Sequence, residues 1–167
     1  MKYLYFCRNI SVMNILFICL GNICRSSAAE EVMRQQVLKA GLGEKIKLDS
    51  AGLIDYHEGE LSDPRMRRHA QRRGYHLTHL SRPVRRQDFD KFDWIIGMDE
   101  NNIRQLQRLA PSAEAQGKIR RMTDFCQKYQ VDTVPDPYYG GDQDFEYVLD
   151  VLEDACEGLL QEIRKDL

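Results

Sequence analysis

Apolar and polar positions along the chain change rhythm several times, and each change marks an element. Asn14-Ile15-Leu16-Phe17-Ile18 is a nearly unbroken apolar run of strand length, as expected for a strand buried on both faces. From Ser26 to Ala40 the apolar residues Ala29, Val32, Met33 and Val37 recur at helical spacing. Ser27 with Glu30 offers a capping-box pair there, and Gly41 and Gly43 close the segment. Lys45 to Ala51 alternates as a second strand would and ends at Gly52, after which residues 53–62 read as loop. Asp63-Pro64 opens a helix through Arg73, with proline at an early position and Gly74 as the stop.

The second half repeats the alternation. Residues 76–84 are short and polar and read as an irregular strand or loop, whereas Phe92 to Met98 reads as a central strand. Asp99 caps a helix that places Ile103, Leu106 and Leu109 on one face, and Pro111 ends it. Lys118 to Met122 supplies a fourth strand. The segment Val134-Pro135-Asp136-Pro137-Tyr138-Tyr139-Gly140-Gly141 is dense in turn formers and aromatic rings, which predicts a shaped loop. Residues 142–164 carry Phe145, Leu149, Leu152, Ala155, Cys156, Leu159 and Ile163 in a three-four rhythm, a final helix that should pack on the sheet. Strands alternating with helices imply right-handed crossovers and an α/β fold. The expected architecture is a three-layer sandwich, a four-stranded parallel sheet with helices on both faces and a ligand site at the carboxyl ends of the strands.

Composition narrows the class. A chain of 167 residues accommodates one domain with a proper core. With 43% hydrophobic and 30% charged residues, a formal net charge of -2 and no apolar run of membrane-spanning length, bulk attraction to membranes or nucleic acid is not expected. The five cysteines, 7, 19, 24, 126 and 156, are odd in number and lack metal-ligand spacing. That argues against a secreted disulfide framework and against a zinc site, and it points to a reducing, cytoplasmic compartment. Met1 to Phe6 resembles the start of a signal peptide, but Arg8 and Asn9 interrupt it, and cleavage after the next apolar run would remove the first strand. Residues 1–12 are therefore expected to be an appendage outside the fold.

Candidate chemistry concentrates at the first strand-to-helix turn, Cys19-Leu20-Gly21-Asn22-Ile23-Cys24-Arg25-Ser26. A loop entering a helix aims backbone N–H groups and the positive end of the helix dipole at one spot, which suits an anion. A cysteine and an arginine six residues apart add a nucleophile and a forked cation to that cup. The cysteine–arginine spacing alone is weak evidence; its place at a strand-to-helix turn, with Gly21 permitting tight backbone, is what makes it informative. Thiolate attack on phosphorus, with Arg25 and the loop N–H groups holding the equatorial oxygens, would give a phosphocysteine. Ser26 is either a hydrogen-bond donor to the sulfur or a simple helix cap.

An ester oxygen leaving from phosphorus needs a proton, and Asp136, between two prolines on a loop bordering the same strand ends, is the candidate acid. Tyr56, Tyr138 and Tyr139 can line a slot that stacks on an aromatic leaving group. Cys24 offers either a reversible disulfide partner for Cys19 or a small packing residue. A non-catalytic alternative rests on the eight arginines between Arg65 and Arg86, which could dock phosphoproteins or nucleic acid. The overall charge of -2 lacks the basic excess of nucleic-acid binders.

Over residues 13–165 the chain resembles the low-molecular-weight protein tyrosine phosphatases. The resemblance is carried by the Cys19 to Ser26 loop, Asp49-Ser50-Ala51-Gly52, Asp63-Pro64-Arg65, Met98-Asp99-Glu100-Asn101-Asn102 and Asp136-Pro137-Tyr138-Tyr139-Gly140. It implies a flavodoxin-like phosphatase I fold, one phosphatase domain over residues 13–167, and no cofactor or metal. It also implies nucleophile Cys19, phosphate-binding Arg25, thiolate-assisting Ser26 and general acid Asp136. Leu20, Gly21, Asn22, Ile23 and Cys24 complete the implied phosphate-binding loop, and Asn22, Ser50 and His79 its hydrogen-bonded support. The implied partner is a phosphotyrosine protein, with a tyrosine kinase as a candidate second partner and a monomer as the expected state. Tyr56 stands where that family often has tryptophan, which bears on substrate preference. Arsenate reductases of the same fold are the enzymatic alternative; they use further cysteines after mid-chain, and this chain has none between Cys24 and Cys126.

Overall fold

The computed structural model describes residues 11–167. Ser11 and Val12 are exposed, while the rest of the expected appendage, with Cys7, lies outside the described residues. Four parallel strands form one sheet, β1 (Met13–Cys19), β2 (Ile46–Gly52), β3 (Trp94–Gly97) and β4 (Ile119–Arg121), in the order β2-β1-β3-β4. β1 is interior, pairing Cys19 with Gly52 on one side and Ile18 with Gly97 on the other. The carboxyl ends of β1 and β2 therefore finish level, and that edge opens toward the phosphate-loop candidate.

The period of two along β1 decides which layer each side chain joins. Ile15, Phe17 and Cys19 point into a core shared with α1 (Arg25–Lys39), α2 (Pro64–Arg72) and α6 (Asp142–Arg164). Leu16 and Ile18 point the other way, toward Phe89, Phe92, Leu106 and Ala115. That second layer is made by α3 (Asp88–Lys91), α4 (Glu100–Leu109) and α5 (Ala113–Gln116). The expected sandwich, four-stranded and all parallel with helices on both faces, is what forms. The apolar stripe of α6 is buried throughout, from Phe145 to Ile163, beside α1 and in the same core as Ile15 and Phe17.

Several local expectations are corrected. Ser27 and Glu30 do not form a capping box: α1 begins at Arg25, its cap position is Cys24, and no side chain caps it. Glu30 instead turns toward Ser50 and Arg34, which leaves the first-turn N–H groups open to the cup. Leu109 does not join the buried face of α4; it is half exposed, whereas Ile103 and Leu106 are buried. The two single-turn helices α3 and α5, and a 3-10 turn over Met122–Phe125, were not evident in the pattern because each is too short to show a period. Residues 76–84 are irregular, joined to the sheet by one bridge between Gly52 and Pro83.

Gly158 lies inside α6 where a glycine would ordinarily weaken the helix. A Cβ there would overlap the carbonyl oxygen of Phe125, so the close approach of the 3-10 turn demands its absence. Asp154, one turn earlier on the helix, accepts from the backbone N–H groups of Gln127, Lys128 and Tyr129 and fixes that turn against α6. Gly158→Ala is expected to destabilise the fold by about 2 kcal/mol or more through overpacking against rigid backbone. A thermal melt showing a midpoint unchanged or raised would contradict this.

Candidate active site

The loop from Cys19 to Arg25 wraps one end of a cavity of about 340 Å³. Its walls are Cys19, Leu20, Gly21, Ile23, Cys24 and Arg25 on the loop side, Ile54, Tyr56 and His57 on a second, and Asp136, Tyr138 and Tyr139 on a third. Among the described residues, no backbone or side-chain acceptor takes the N–H groups of Gly21 to Arg25. These donors converge at the start of α1, where the helix dipole adds to them.

The bend that aims them depends on Asn22, whose φ of 58° is the one left-handed backbone among non-glycine residues described. Asparagine tolerates this region better than most residues, and here four hydrogen bonds hold it there. Its Nδ2 donates to Ser26 Oγ (2.8 Å) and to Ser50 Oγ (3.0 Å). Its Oδ1 accepts from the Arg82 backbone N–H (3.1 Å) and lies 2.9 Å from His79 Nε2. Because the Arg82 group can only donate, Oδ1 is the oxygen, and His79 must present Nε2–H to it. Ser50 Oγ in turn donates to Glu30 Oε1 (2.8 Å). Gly52 is required as well: a Cβ there would come within 2.9 Å of the Leu20 carbonyl oxygen, in the floor beneath the loop.

The same network orients the group beside the sulfur. Ser26 Oγ lies 3.0 Å from Cys19 Sγ and already accepts from Asn22 Nδ2, so its own hydrogen is free to point at the sulfur. Between the two alternatives for Ser26, the geometry favours the donor, since the residue caps nothing. Cys24 is buried beside it, and burial pushes its thiol well up, reinforced by the charges of Asp63 and Cys19. It stands as a neutral packing thiol in the resting site.

Arg25 is 3% exposed, and the guanidinium is held from behind. Nη1 donates to Asp99 Oδ2 (2.6 Å) and to the Val134 carbonyl (3.0 Å), and Nη2 lies 3.6 Å from Asp136 Oδ2. Burial opposes its charge, but Cys19, Asp99 and Asp136 more than offset that and hold it above the usual guanidinium value. Asp99 serves twice: Oδ1 caps α4 through the Asn102 N–H (2.8 Å), and Oδ2 fixes Arg25. Its capping role was legible in the sequence; its grip on Arg25 was not, because the partners are 74 positions apart.

The predicted site residues thus gather around one cavity, with Ser50 and His79 behind the loop and Tyr56, Tyr138 and Tyr139 at the rim. Tyr56 and Tyr139 are 80% and 95% exposed, so the rim is open and an aryl group entering would cover rings now facing water. Ile54 and His57 are wall residues that sequence reasoning passed over. His57 Nδ1 is 2.8 Å from Glu60 Oε2, and a loop histidine gives no periodic signal. Glu30, Asp49 and His79 bring one potential ligand atom each within 4.8 Å of one another. Arg34, Arg82 and the Ser50 hydroxyl already engage those carboxylates, so the group works as an ion-pair network supporting the loop.

The model of the low molecular weight phosphotyrosine protein phosphatase family matches residues 14–167. The chain belongs to that family. A low molecular weight protein-tyrosine-phosphatase of Streptomyces coelicolor is 40% identical over 92% of this chain and 94% of its own length. Its counterpart YfkJ of Bacillus subtilis is 40% identical over 93% of this chain and 98% of its own. The crystal structure of a protein tyrosine phosphatase from Entamoeba histolytica, with Hepes in the active site, is 47% identical and superposes with a TM-score of 0.90. It covers 92% of this chain and 98% of that one. As expected of that family, the protein is a phosphatase built on a parallel α/β sheet, and phosphoproteins are the substrate class its relatives imply. No described helix is long and apolar enough to cross a membrane.

Proposed function

We propose that this phosphatase hydrolyses phosphotyrosine in proteins by two phosphoryl transfers through a phosphocysteine. The observation that carries the reading is the convergence of Cys19 Sγ, the buried Arg25 fork and the Asp136 carboxylate on one cavity whose loop N–H groups are free. Cys19 forms the S–P bond as the tyrosine oxygen departs and takes a proton from Asp136. Water then attacks phosphorus and gives its proton to the Asp136 carboxylate, the S–P bond breaks, and phosphate leaves with the thiolate restored. Arg25 and the N–H groups stabilise the equatorial oxygens in both transition states. Ser26 stabilises the sulfur when it attacks and when it departs. His79, Ser50 and Asn22 act by holding the loop in its strained bend, and the three rim tyrosines favour an aryl ester.

The protein acts on this reading as a cytoplasmic monomer, and a tyrosine kinase supplying its substrates is the partner called for. Phosphotyrosine and phosphoserine peptides offered in the presence of a chelator test it, with acid quenching to capture the phosphoenzyme. Turnover should persist with chelator, favour phosphotyrosine, and leave phosphate covalently bound to Cys19. Thioredoxin-dependent arsenate reduction without phosphotyrosine hydrolysis would reject the proposal in favour of the reductase.

A further inference from the structure

Asp63-Pro64-Arg65 is a motif that the reaction as described does not use. Its place in the fold gives it a task. The Asp63 backbone N–H donates to the Ile23 carbonyl (2.8 Å), so this residue is fixed to the phosphate-binding loop. Its Oδ1 accepts from the Arg65 N–H (2.8 Å), capping α2, and both carboxylate oxygens take the Arg65 guanidinium, at 3.2 Å from Nε and 3.0 Å from Nη2. Arg65 is thereby a fork of fixed direction. That fork reaches across the site: Nη2 donates to the Tyr138 carbonyl (2.8 Å), and the guanidinium lies over the rings of Phe145 (4.8 Å) and Tyr138 (5.5 Å).

Tyr138 is held at both ends of its backbone. Its carbonyl is bound by Arg65, and its N–H donates to Asp136 Oδ1 (3.1 Å), leaving Oδ2 facing the cavity and Arg25. Asp136 is 43% exposed in its side chain, and the described hydrogen bonds to its carboxylate come from Tyr138 alone. The carboxylate is therefore aimed by a peptide group, and that peptide group is aimed by Arg65. Burial raises Asp63, but the Arg65 bonds more than offset it and keep the carboxyl below its ordinary range, so the pair stays charged at neutral pH.

We propose that the Asp63–Arg65 pair is a strut between the phosphate-binding loop and the Asp136 loop, which makes Arg65 a positioning residue for the proton donor. The inference rests on the reading of Asp136 as general acid. It assigns Arg65 no contact with phosphate: the arginine acts through Tyr138 on where the Asp136 proton is delivered. A geometric error of about 1 Å in such a group costs on the order of 10²-fold in rate.

The test compares phenyl phosphate, whose leaving group needs the proton, with 2,4-dinitrophenyl phosphate, whose leaving group does not. Arg65→Met, which keeps an apolar stem on Phe145, should lower kcat/KM for phenyl phosphate roughly 10-fold or more and for the dinitrophenyl ester less than about threefold. Inhibition by inorganic phosphate should stay within about threefold of the unmutated protein, since Arg25 and the loop are untouched. Arg65→Met placed on Asp136→Ala should cost no more than about twofold beyond Asp136→Ala alone, because residues acting as a unit are not additive. Arg65→Lys, which keeps the charge without the fork, should show the same ester dependence more weakly, and it carries the test if the methionine variant does not fold. Equal losses on both esters, weakened phosphate inhibition, additive losses in the double variant, or no loss at all would overturn the strut. If Asp136→Ala itself spares phenyl phosphate, the general-acid reading has failed instead, and that pattern is distinct from a normal Asp136 effect without an Arg65 effect.

Discussion

Cys19→Ser is expected to lower turnover of a phosphotyrosine peptide by at least about 10⁴-fold while leaving oxyanion binding intact. An alcohol in place of the thiol is not ionised near neutral pH, and its neighbour Ser26 can donate a hydrogen bond but offers no base to deprotonate it. The S–P bond then does not form. Binding should survive because the anion is held by groups the substitution does not touch, the free loop N–H donors and an Arg25 fixed by Asp99 and Val134. Initial rates together with calorimetric titration of inorganic phosphate separate the two quantities. Hydrolysis retained within tenfold of the parent, a margin of about 1.4 kcal/mol in barrier, would remove Cys19 from the role of nucleophile.

Asp136→Ala should slow esters with weakly acidic leaving groups by about 10² to 10⁴-fold and slow dinitrophenyl phosphate far less. The difference arises because a phenolate of ordinary basicity cannot depart from phosphorus without a proton, whereas a strongly stabilised one can. Arg25 keeps Asp99 and the Val134 carbonyl as partners in this variant, so its fork stays in place. With one carboxylate fewer beside it, phosphate should bind at least as well as in the parent. A plot of log kcat/KM against leaving-group acidity, steeper in the variant than in the parent, is the expected signature. Parallel plots would show that Asp136 donates no proton in the step measured.

Sequence reasoning reached furthest where the causes are local. The apolar run of β1, the turn at Gly21 and the periodicity of α1 and α6 are properties of neighbouring residues, so the strand, the loop and both helices were legible. The place of Asp136 at the cavity was foreseen by chemistry, since a monoester calls for an acid and the loop after β4 offers a carboxylate between prolines. The capping box failed for a reason that is itself local to the site: Glu30 is 4% exposed and drawn to Ser50 and Arg34, while the first-turn N–H groups stay open. Leu109 misled because a helix end can carry an apolar residue past the edge of the layer it packs on. The grip of Asp99 on Arg25, the reach of Arg65 to Tyr138 and the wall positions of His57 and Ile54 were not legible, because they lie in partners distant in the chain or in a wall that no period announces.

The amino-acid sequence by itself determined the α/β alternation, the anion-binding turn with its cysteine and arginine, and the presence of a carboxylate suited to proton transfer. Those follow from hydrophobic period, turn chemistry and the needs of a phosphate ester, all of which act over a few residues or a single reacting bond. Only the tertiary structure decided the rest. It placed Asn22 in a left-handed bend and surrounded it with Ser26, Ser50, His79 and Arg82. It set Asp99 behind Arg25 and brought Arg65 across the site to Tyr138. Apart from the local Asn22–Ser26 bond, these contacts join residues 28 to 74 positions apart. Their geometry is fixed by how the parallel strands align their carboxyl ends, a property of the whole sheet that no short stretch of sequence contains.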